Sequence, residues 1–429
     1  MKQIAVLLLL ALPAIALNPA HFNELNHRAH EFAKQKDWKS LRTTLTQLGG
    51  EMGTPIPILM LRMASVETHL DNKAEALKWM QRYAATGLTY DIRKDDDLKS
   101  LDGDRDFRAI ANQLKANTKA ISRAQLACTL PIADLMPEDL AYLAKSRNFV
   151  VSSIQHHTLY RASLPKQAGG DCALEEISLD ASLRQWPVAA VSADSQRNLL
   201  WFTMAAFPGF TGIPEKDQGK TALVAINSST GKLIRRFDLD SGKPGLFGDM
   251  SIGKDGTVYV ADGLGGGVYR VRGDLQTAKL EKIADGIFSP QTPVLARDGK
   301  RLFVADYVIG IAVVDLATGK VNYLPHAENL AVVGLDGLYL SGDSLIGVQN
   351  GTEPERIIRL KLNPAQTAIT SLQVIEQSTP RLGDPTHAIE VNGFIYVTAN
   401  VGWSKIDDQG TLKPGEQFTN SILLGFPAK

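Results

Sequence analysis

One short strand recurs six times along the C-terminal two-thirds of this chain, and that recurrence limits the fold more than any other feature. Its versions are Arg147-Asn-Phe-Val-Val-Ser-Ser, Arg197-Asn-Leu-Leu-Trp-Phe-Thr, Gly256-Thr-Val-Tyr-Val-Ala-Asp, Lys300-Arg-Leu-Phe-Val-Ala-Asp, Asp343-Ser-Leu-Ile-Gly-Val-Gln and Gly393-Phe-Ile-Tyr-Val-Thr-Ala. Their first apolar residues, Phe149, Leu199, Val258, Leu302, Leu345 and Phe394, lie roughly 43 to 59 residues apart, the length of a four-stranded propeller blade. Around Leu335 to Gly351 the unit reads as a strand over Gly337 to Leu340, a Ser-Gly-Asp turn and a second strand over Leu345 to Gln349. Outer strands are expected after each inner hairpin, among them Ala222 to Asn227, Ile311 to Asp315, Ile357 to Leu362 and, in the last unit, Trp403 to Asp407. Turns such as Thr230-Gly231, Thr318-Gly319 and Asn363-Pro364 separate them. No helical pattern falls between the strands, which excludes a parallel α/β sheet. A tandem of immunoglobulin-type sandwiches would need longer, unequal strands and no common inner hairpin. The expectation is a six-bladed β-propeller over 137–429.

The first third reads differently. Met1-Lys-Gln, the apolar run Ile4 to Leu12 and Ala14-Ile15-Ala16 form a secretory signal peptide over 1–16, too short to span a bilayer and removed at a small-x-small site. The mature chain is then periplasmic or secreted, with no membrane span after cleavage. Export gives Cys128 and Cys172, the only cysteines, an oxidising setting in which a disulfide is expected, two buried thiols being the alternative. Residues 19–118 read as helices: His21 to Lys34 with Phe22, Leu25, Ala29, Phe32 and Ala33 on one face, then Trp38 to Leu48, Pro57 to Leu70, Lys73 to Ala85 and Phe107 to Leu114. Asp37-Trp38 and Asn72-Lys73 hold matching turns about 35 residues apart, a tetratricopeptide-like period. Residues 119–136 read as a linker. The fold class is therefore multidomain, a short α-helical repeat domain followed by an all-β propeller.

Acidic and basic residues balance at 46 each, and no basic aromatic groove is present, so nucleic acid is set aside. The propeller geometry predicts where chemistry would gather. The loop before each inner strand and the loop joining second to third strands share one face, so their residues ring one mouth of the central channel. The first set is Glu138, Asp139, Trp186, Asp249, Gln291, Asp336 and His387. The second is His156-His157, the insertion Phe207 to Gly219, Asp262, Asp306, Gln349-Asn350 and Asn400. Carboxylates, an amide and a histidine drawn from separate blades suit a hard divalent cation, calcium or magnesium, with zinc also considered. Asp residues in such loops also cap backbone amides, which is the structural alternative for each of them. No nucleophile elbow and no phosphate loop occurs.

Pro137-Glu-Asp-Leu-Ala-Tyr, Gly248-Asp-Met-Ser-Ile, Gln291 ahead of Asp298-Gly-Lys-Arg-Leu-Phe-Val-Ala-Asp, and Asp336-Gly-Leu-Tyr resemble the gluconolactonase/regucalcin-like six-bladed propellers. The resemblance covers about 137 to 429. It implies a metal held by Glu138, Gln291 and Asp336, with Asp336 also the general base and Asp249 at a substrate-contacting position. Gln291 and Asp249 stand where that family carries asparagine. Val348-Gln-Asn-Gly and Val397-Thr-Ala-Asn are similar to a less characterised exported branch of the superfamily.

Two functions of different class follow. One is a ligand- or partner-binding platform, in which the channel takes a small molecule or the helical repeats hold a protein, with Trp186, His387, Asn350 and Asn400 as contact residues and a metal at the mouth. The helical domain favours it. The other is a divalent-metal-dependent hydrolase of a small lactone or ester, with Asp336 or Asp249 activating water.

Overall fold

The computed structural model describes residues 19–429, so the leader expected at 1–16 lies outside the described residues. Among the described residues five α-helices precede the sheets: α1 (Pro19–Lys34), α2 (Trp38–Met52), α3 (Pro57–His69), α4 (Lys73–Ala85) and α5 (Arg105–Ala116). Local chemistry sets their ends. Asp37 caps α2 by accepting from Ser40 N, Pro57 opens α3 where no N–H is needed, and Asp104 caps α5 by accepting from Asp106 N and Phe107 N. Leu25, Leu41, Leu45, Leu48, Met63 and Val66 bury the α1–α3 interface; Met60, Ala64, Met80, Ala84, Phe107 and Ile110 bury the next. Among the described residues no helix is long and apolar enough to cross a membrane.

Six antiparallel sheets of four or five strands follow. Blade 1 is built from Leu140–Leu143, Asn148–Ser153, Thr158–Ser163 and Ala173–Glu176, and blade 2 from Val188–Asp194, Leu199–Ala205, Thr221–Asn227 and Leu233–Asp238. Blade 3 comprises Phe247–Ile252, Val258–Asp262, Gly267–Val271 and Glu281–Ala284; blade 4 comprises Pro290–Leu295, Arg301–Asp306, Gly310–Asp315 and Val321–Tyr323. Blade 5 comprises Leu335–Ser341, Ser344–Gln349, Arg356–Leu362 and Ile369–Gln377. Blade 6 has Ala388–Val391, Phe394–Ala399 and Ile422–Pro427. Apolar side chains of facing blades interlock between the sheets, as where Trp201, Phe237, Phe247 and Val260 join blades 2 and 3.

The segment expected to be a linker over 119–136 is not one. Ile121–Ser122 adds a fifth strand to blade 5, and Gln125–Thr129 is the outermost strand of blade 6, paired antiparallel with Ile422–Pro427. Chain segments from both ends of the propeller thus close the ring in one sheet. The Cys128–Cys172 disulfide (Cα–Cα 5.5 Å) fastens that closing strand to the approach of the outer strand of blade 1. In the chain-entropy description it stabilises the fold by about 4 kcal/mol. Trp403 to Asp407 is not the outer strand expected either: Trp403–Lys405 is a single 3-10 turn inside a long loop, and the third strand begins at Ile422.

The helices dock on the mouth face, over blades 4 and 5. Phe22 meets Phe288 edge to face at 4.3 Å, the Thr54 hydroxyl lies 2.8 Å from His326 Nε2, and Met52 and Ile56 cover Ile309. Thr89 N donates to Glu353 O, and Ala331 enters the helical core. Arg356, wholly buried at this junction, donates to Gln349 Oε1 beneath Tyr83 and Gly87.

Candidate functional site

Strand register sorts the mouth residues into two levels. Leu140, Val191, Met250, Pro293, Leu338 and Ala388 pair with Val151, Phe202, Val260, Val304, Gly347 and Val397, so they are equivalent in the six blades. One residue earlier lies a ring of Asp139, Ala190, Asp249, Thr292, Gly337 and His387; one earlier again lie Glu138, Ala189, Gly248, Gln291, Asp336 and Thr386. The polar members of the first ring are buried, whereas Glu138, Gln291 and Asp336 of the second are partly exposed. The first ring is therefore the floor of the mouth and the second lines the space above it.

The floor is a brace across the channel. His387 Nε2 of blade 6 lies 2.8 Å from Asp249 Oδ1 of the opposite blade, 3.9 Å from Asp139 Oδ1 and 3.0 Å from Thr292 Oγ1. Thr292 Oγ1 donates to Asp249 Oδ2 at 2.8 Å and accepts from Leu338 N of the next blade; Asp139 Oδ2 likewise accepts from Val191 N of its neighbour. Burial alone would keep His387 neutral, but Asp139 and then Asp249 outweigh it and raise its pKa to about 10, so the imidazole is a cation at neutral pH. Gly337 makes room for this arrangement: a Cβ there would lie 2.3 Å from Thr386 O. Asp139, Asp249 and His387 are also spaced closely enough to surround a metal ion. One observation argues instead for an ion-pair brace: each Asp139 oxygen already accepts a backbone N–H, from Leu140 and Val191.

The level above has a different design. Glu138 Oε2 accepts from Trp403 Nε1 at 2.5 Å, Asp336 Oδ2 accepts from Asn350 Nδ2 at 2.6 Å, and Gln291 Nε2 donates to Ser289 Oγ at 3.2 Å. Tyr307 OH donates in turn to Asn350 Oδ1. Glu138 Oε1, Gln291 Oε1 and Asp336 Oδ1 take no hydrogen bond from any described residue. Each side chain is thus oriented by one terminal atom and leaves an oxygen free, the pattern of ligands held by surrounding groups. The charges are strained. Burial, then the nearby Asp336 carboxylate, pushes Glu138 well above the usual carboxylate range despite its bond to Trp403. Burial, then Asp249, raises Asp336 to about 7. An all-oxygen donor set with two unneutralised carboxylates fits a hard divalent cation.

Two loops roof this space. Phe207 and Phe210 from the blade 2 insertion stack on each other (4.9 Å) and lean on Trp403 of the blade 6 loop, while Thr211 N donates to Gln409 O. Met136, Ile154, Ala189, Val401 and Ile406 complete the apolar side.

Other residues expected at the site lie elsewhere. Trp186 is buried among Leu183, Val188 and Phe202 between blades 1 and 2, under Arg236, three positions upstream of the ring residue Ala189. Asn400 donates to Thr419 Oγ1 and Asn420 O and so braces the blade 6 loop. Asp262 accepts from Leu246 N and Gly265 N; Asp306 accepts from Phe288 N, Val308 N and Tyr323 OH. Both are loop caps. His156 contacts Asp134 and Tyr160, and His157 contacts Arg184 O, away from the channel residues. Sequence reasoning missed Thr292, Tyr307 and Trp403. Thr292 could have been found by carrying the register of Asp139, Asp249 and His387 into blade 4; Trp403 gave no such signal, because a loop of irregular length places it.

No family model and no curated protein matches this sequence. Solved structures are similar to it at low identity. A putative oxidoreductase (glucose dehydrogenase) from Thermus thermophilus has 14% identity and a TM-score of 0.47, over 71% of this chain and 99% of that one. Luciferin-regenerating enzyme has 11% identity and a TM-score of 0.44, over 72% and 94%. A catalytically inactive virginiamycin B lyase from Staphylococcus aureus, solved with quinupristin, has 13% identity and a TM-score of 0.43, over 69% and 97%. At such identities and TM-scores the likeness carries no argument, and function has to be read from the site.

Proposed function

We propose that the channel mouth holds a divalent cation on Glu138, Gln291 and Asp336, and that the protein is an exported hydrolase of a small lactone or ester. One observation carries this reading: three side chains from three blades, each anchored by one terminal atom, each with a free oxygen, at the same level of the channel. Bound there, a cation would polarise a carbonyl and acidify water. The chain's own residues supply the rest. Asp336, oriented by Asn350 through Oδ2 beside that cation, is the carboxylate placed to take a proton from the water. Asp249 is not suited, because both its oxygens face Thr292 and His387 in the buried floor; it holds the brace instead. The aromatic roof of Phe207, Phe210 and Trp403 excludes water and receives the apolar part of a ligand. The disulfide supports export to an oxidising compartment.

The binding-platform reading is favoured by a different feature, an apolar groove of about 390 Å³ on the helices, lined by Leu45, Ile56, Leu59, Met60 and Trp79, suited to a protein partner. One experiment separates the two. Chelated protein is titrated calorimetrically with calcium, magnesium and zinc, then assayed on small lactones and aryl esters with and without the tightest-binding ion. Cation-dependent turnover that is lost in Asp336→Asn supports the hydrolase. Cation binding without turnover leaves the platform, and no binding at millimolar concentration removes the metal site.

A further inference from the structure

The face opposite the channel mouth carries the turns joining first to second strands. At the seam where blade 6 meets blade 1, two such turns flank a pocket of about 410 Å³, within the size range of small-molecule sites. Its walls are aromatic. Phe149 lies between Tyr142 (5.3 Å between ring centroids) and Tyr396 (4.8 Å), and Phe394, 37% exposed, extends the surface 6.2 Å beyond Tyr396.

Several polar groups at this pocket have no hydrogen-bond partner among the described residues. The Arg147 guanidinium makes no ion pair or hydrogen bond among the described residues. Arg197 and Arg301, at the corresponding turns of blades 2 and 4, both donate to carbonyls or carboxylates. Asn148 accepts from the Ser163 hydroxyl through Oδ1 and leaves its amide N–H groups free. The Tyr142 and Tyr396 hydroxyls likewise make no hydrogen bond among the described residues. The lining includes no Asp, Glu or Lys, so Arg147 is its single charge. Aromatic faces, undirected N–H and O–H donors and one unpaired guanidinium are the features that receive a flat ring and an anionic group together.

We propose that this seam pocket is a second ligand site, independent of the channel mouth, for a small ring-bearing monocarboxylate. The ring lies against Phe394 and Tyr396, and the carboxylate pairs with Arg147. A sugar acid and an aromatic acid share this chemistry, and the test distinguishes them. D-Glucuronate and 4-hydroxybenzoate are titrated by calorimetry and by saturation-transfer NMR up to about 10 mM, with methyl glucoside and phenol as their uncharged counterparts, a range that spans weak single-site affinities. The expected result is saturable binding of one acid, at least about tenfold tighter than its neutral counterpart, the size of one charge-assisted contact. Arg147→Gln should remove that preference and Phe394→Ala should weaken both members of the pair, with thermal unfolding and cation binding at the mouth unchanged. Glucuronate binding identifies a sugar acid and hydroxybenzoate binding an aromatic one. The proposal is overturned if neither acid binds, or if Arg147→Gln binds the acid as tightly as the native protein does.

Discussion

Replacing Asp336 with asparagine should stabilise the metal-free protein in mildly alkaline solution, because the carboxylate is held against its own preference. Burial first, and the Asp249 charge second, raise Asp336 from 3.8 to about 7. A carboxylate shifted upward contributes stability that is fully present below its unfolded pKa and is lost as pH rises through the folded one. A shift of about three units corresponds to about 4 kcal/mol, all of it expressed above pH 7. Asparagine keeps the shape and still accepts from Asn350, but through a weaker neutral bond, so a net gain of about 2 to 4 kcal/mol is expected at pH 8.5. At pH 4, where Asp336 is protonated, the two proteins should be equally stable. A thousandfold excess of divalent cation over Kd should cancel or reverse the order at pH 8.5, since it adds about 4.1 kcal/mol to the protein that binds it. Urea unfolding of chelated protein, followed by tryptophan fluorescence from pH 4 to 9, measures all three. Parallel pH profiles, or a variant less stable than the native protein at pH 8.5 without metal, would refute the reasoning.

His387→Gln should cost about 3 to 5 kcal/mol, because it leaves Asp249 and Asp139 buried without their cation. His387 is raised to about 10, so the loss should be full below pH 6.5 and shrink as pH approaches 10; a constant difference across that range would contradict the brace. The double serine variant of Cys128 and Cys172 should lower stability by about 4 kcal/mol, read from the urea midpoint, with reducing agent doing the same to the native protein. Trp403→Phe and Asn350→Ala should each weaken cation affinity by about 10- to 100-fold while leaving far-ultraviolet circular dichroism unchanged, a result that a purely structural role for either residue would not give.

The blade rhythm was legible because each second strand is short, apolar and buried on both faces, so six copies stand out even without shared motifs. The closing strand was not. Gln125–Thr129 pairs with residues about 300 positions away, and nothing local distinguishes an outer strand of five residues from an extended connection. At the site, the residue types were legible and the levels were not. Glu138 and Asp139 are neighbours in sequence, yet the pleat sends one into the space above the floor and the other into the brace, so a single set of approach residues mixed two functions. Trp186 was misjudged for a related reason: an irregularity in pairing between Val188 and Val191 shifts blade 2, so that Ala189 and Ala190 take the ring positions. Trp403 reaches Glu138 from a loop whose length no repeat predicts.

The central claim is that the free oxygens of Glu138, Gln291 and Asp336 are metal ligands. A crystal structure of the protein equilibrated with millimolar manganese, analysed for anomalous scattering, tests it most directly. The account predicts one strong peak at about 2.0 to 2.5 Å from Glu138 Oε1, Gln291 Oε1 and Asp336 Oδ1, with the His387–Asp249 contact intact beneath it. A peak between Asp139, Asp249 and His387 instead, or no peak in the channel, would contradict it.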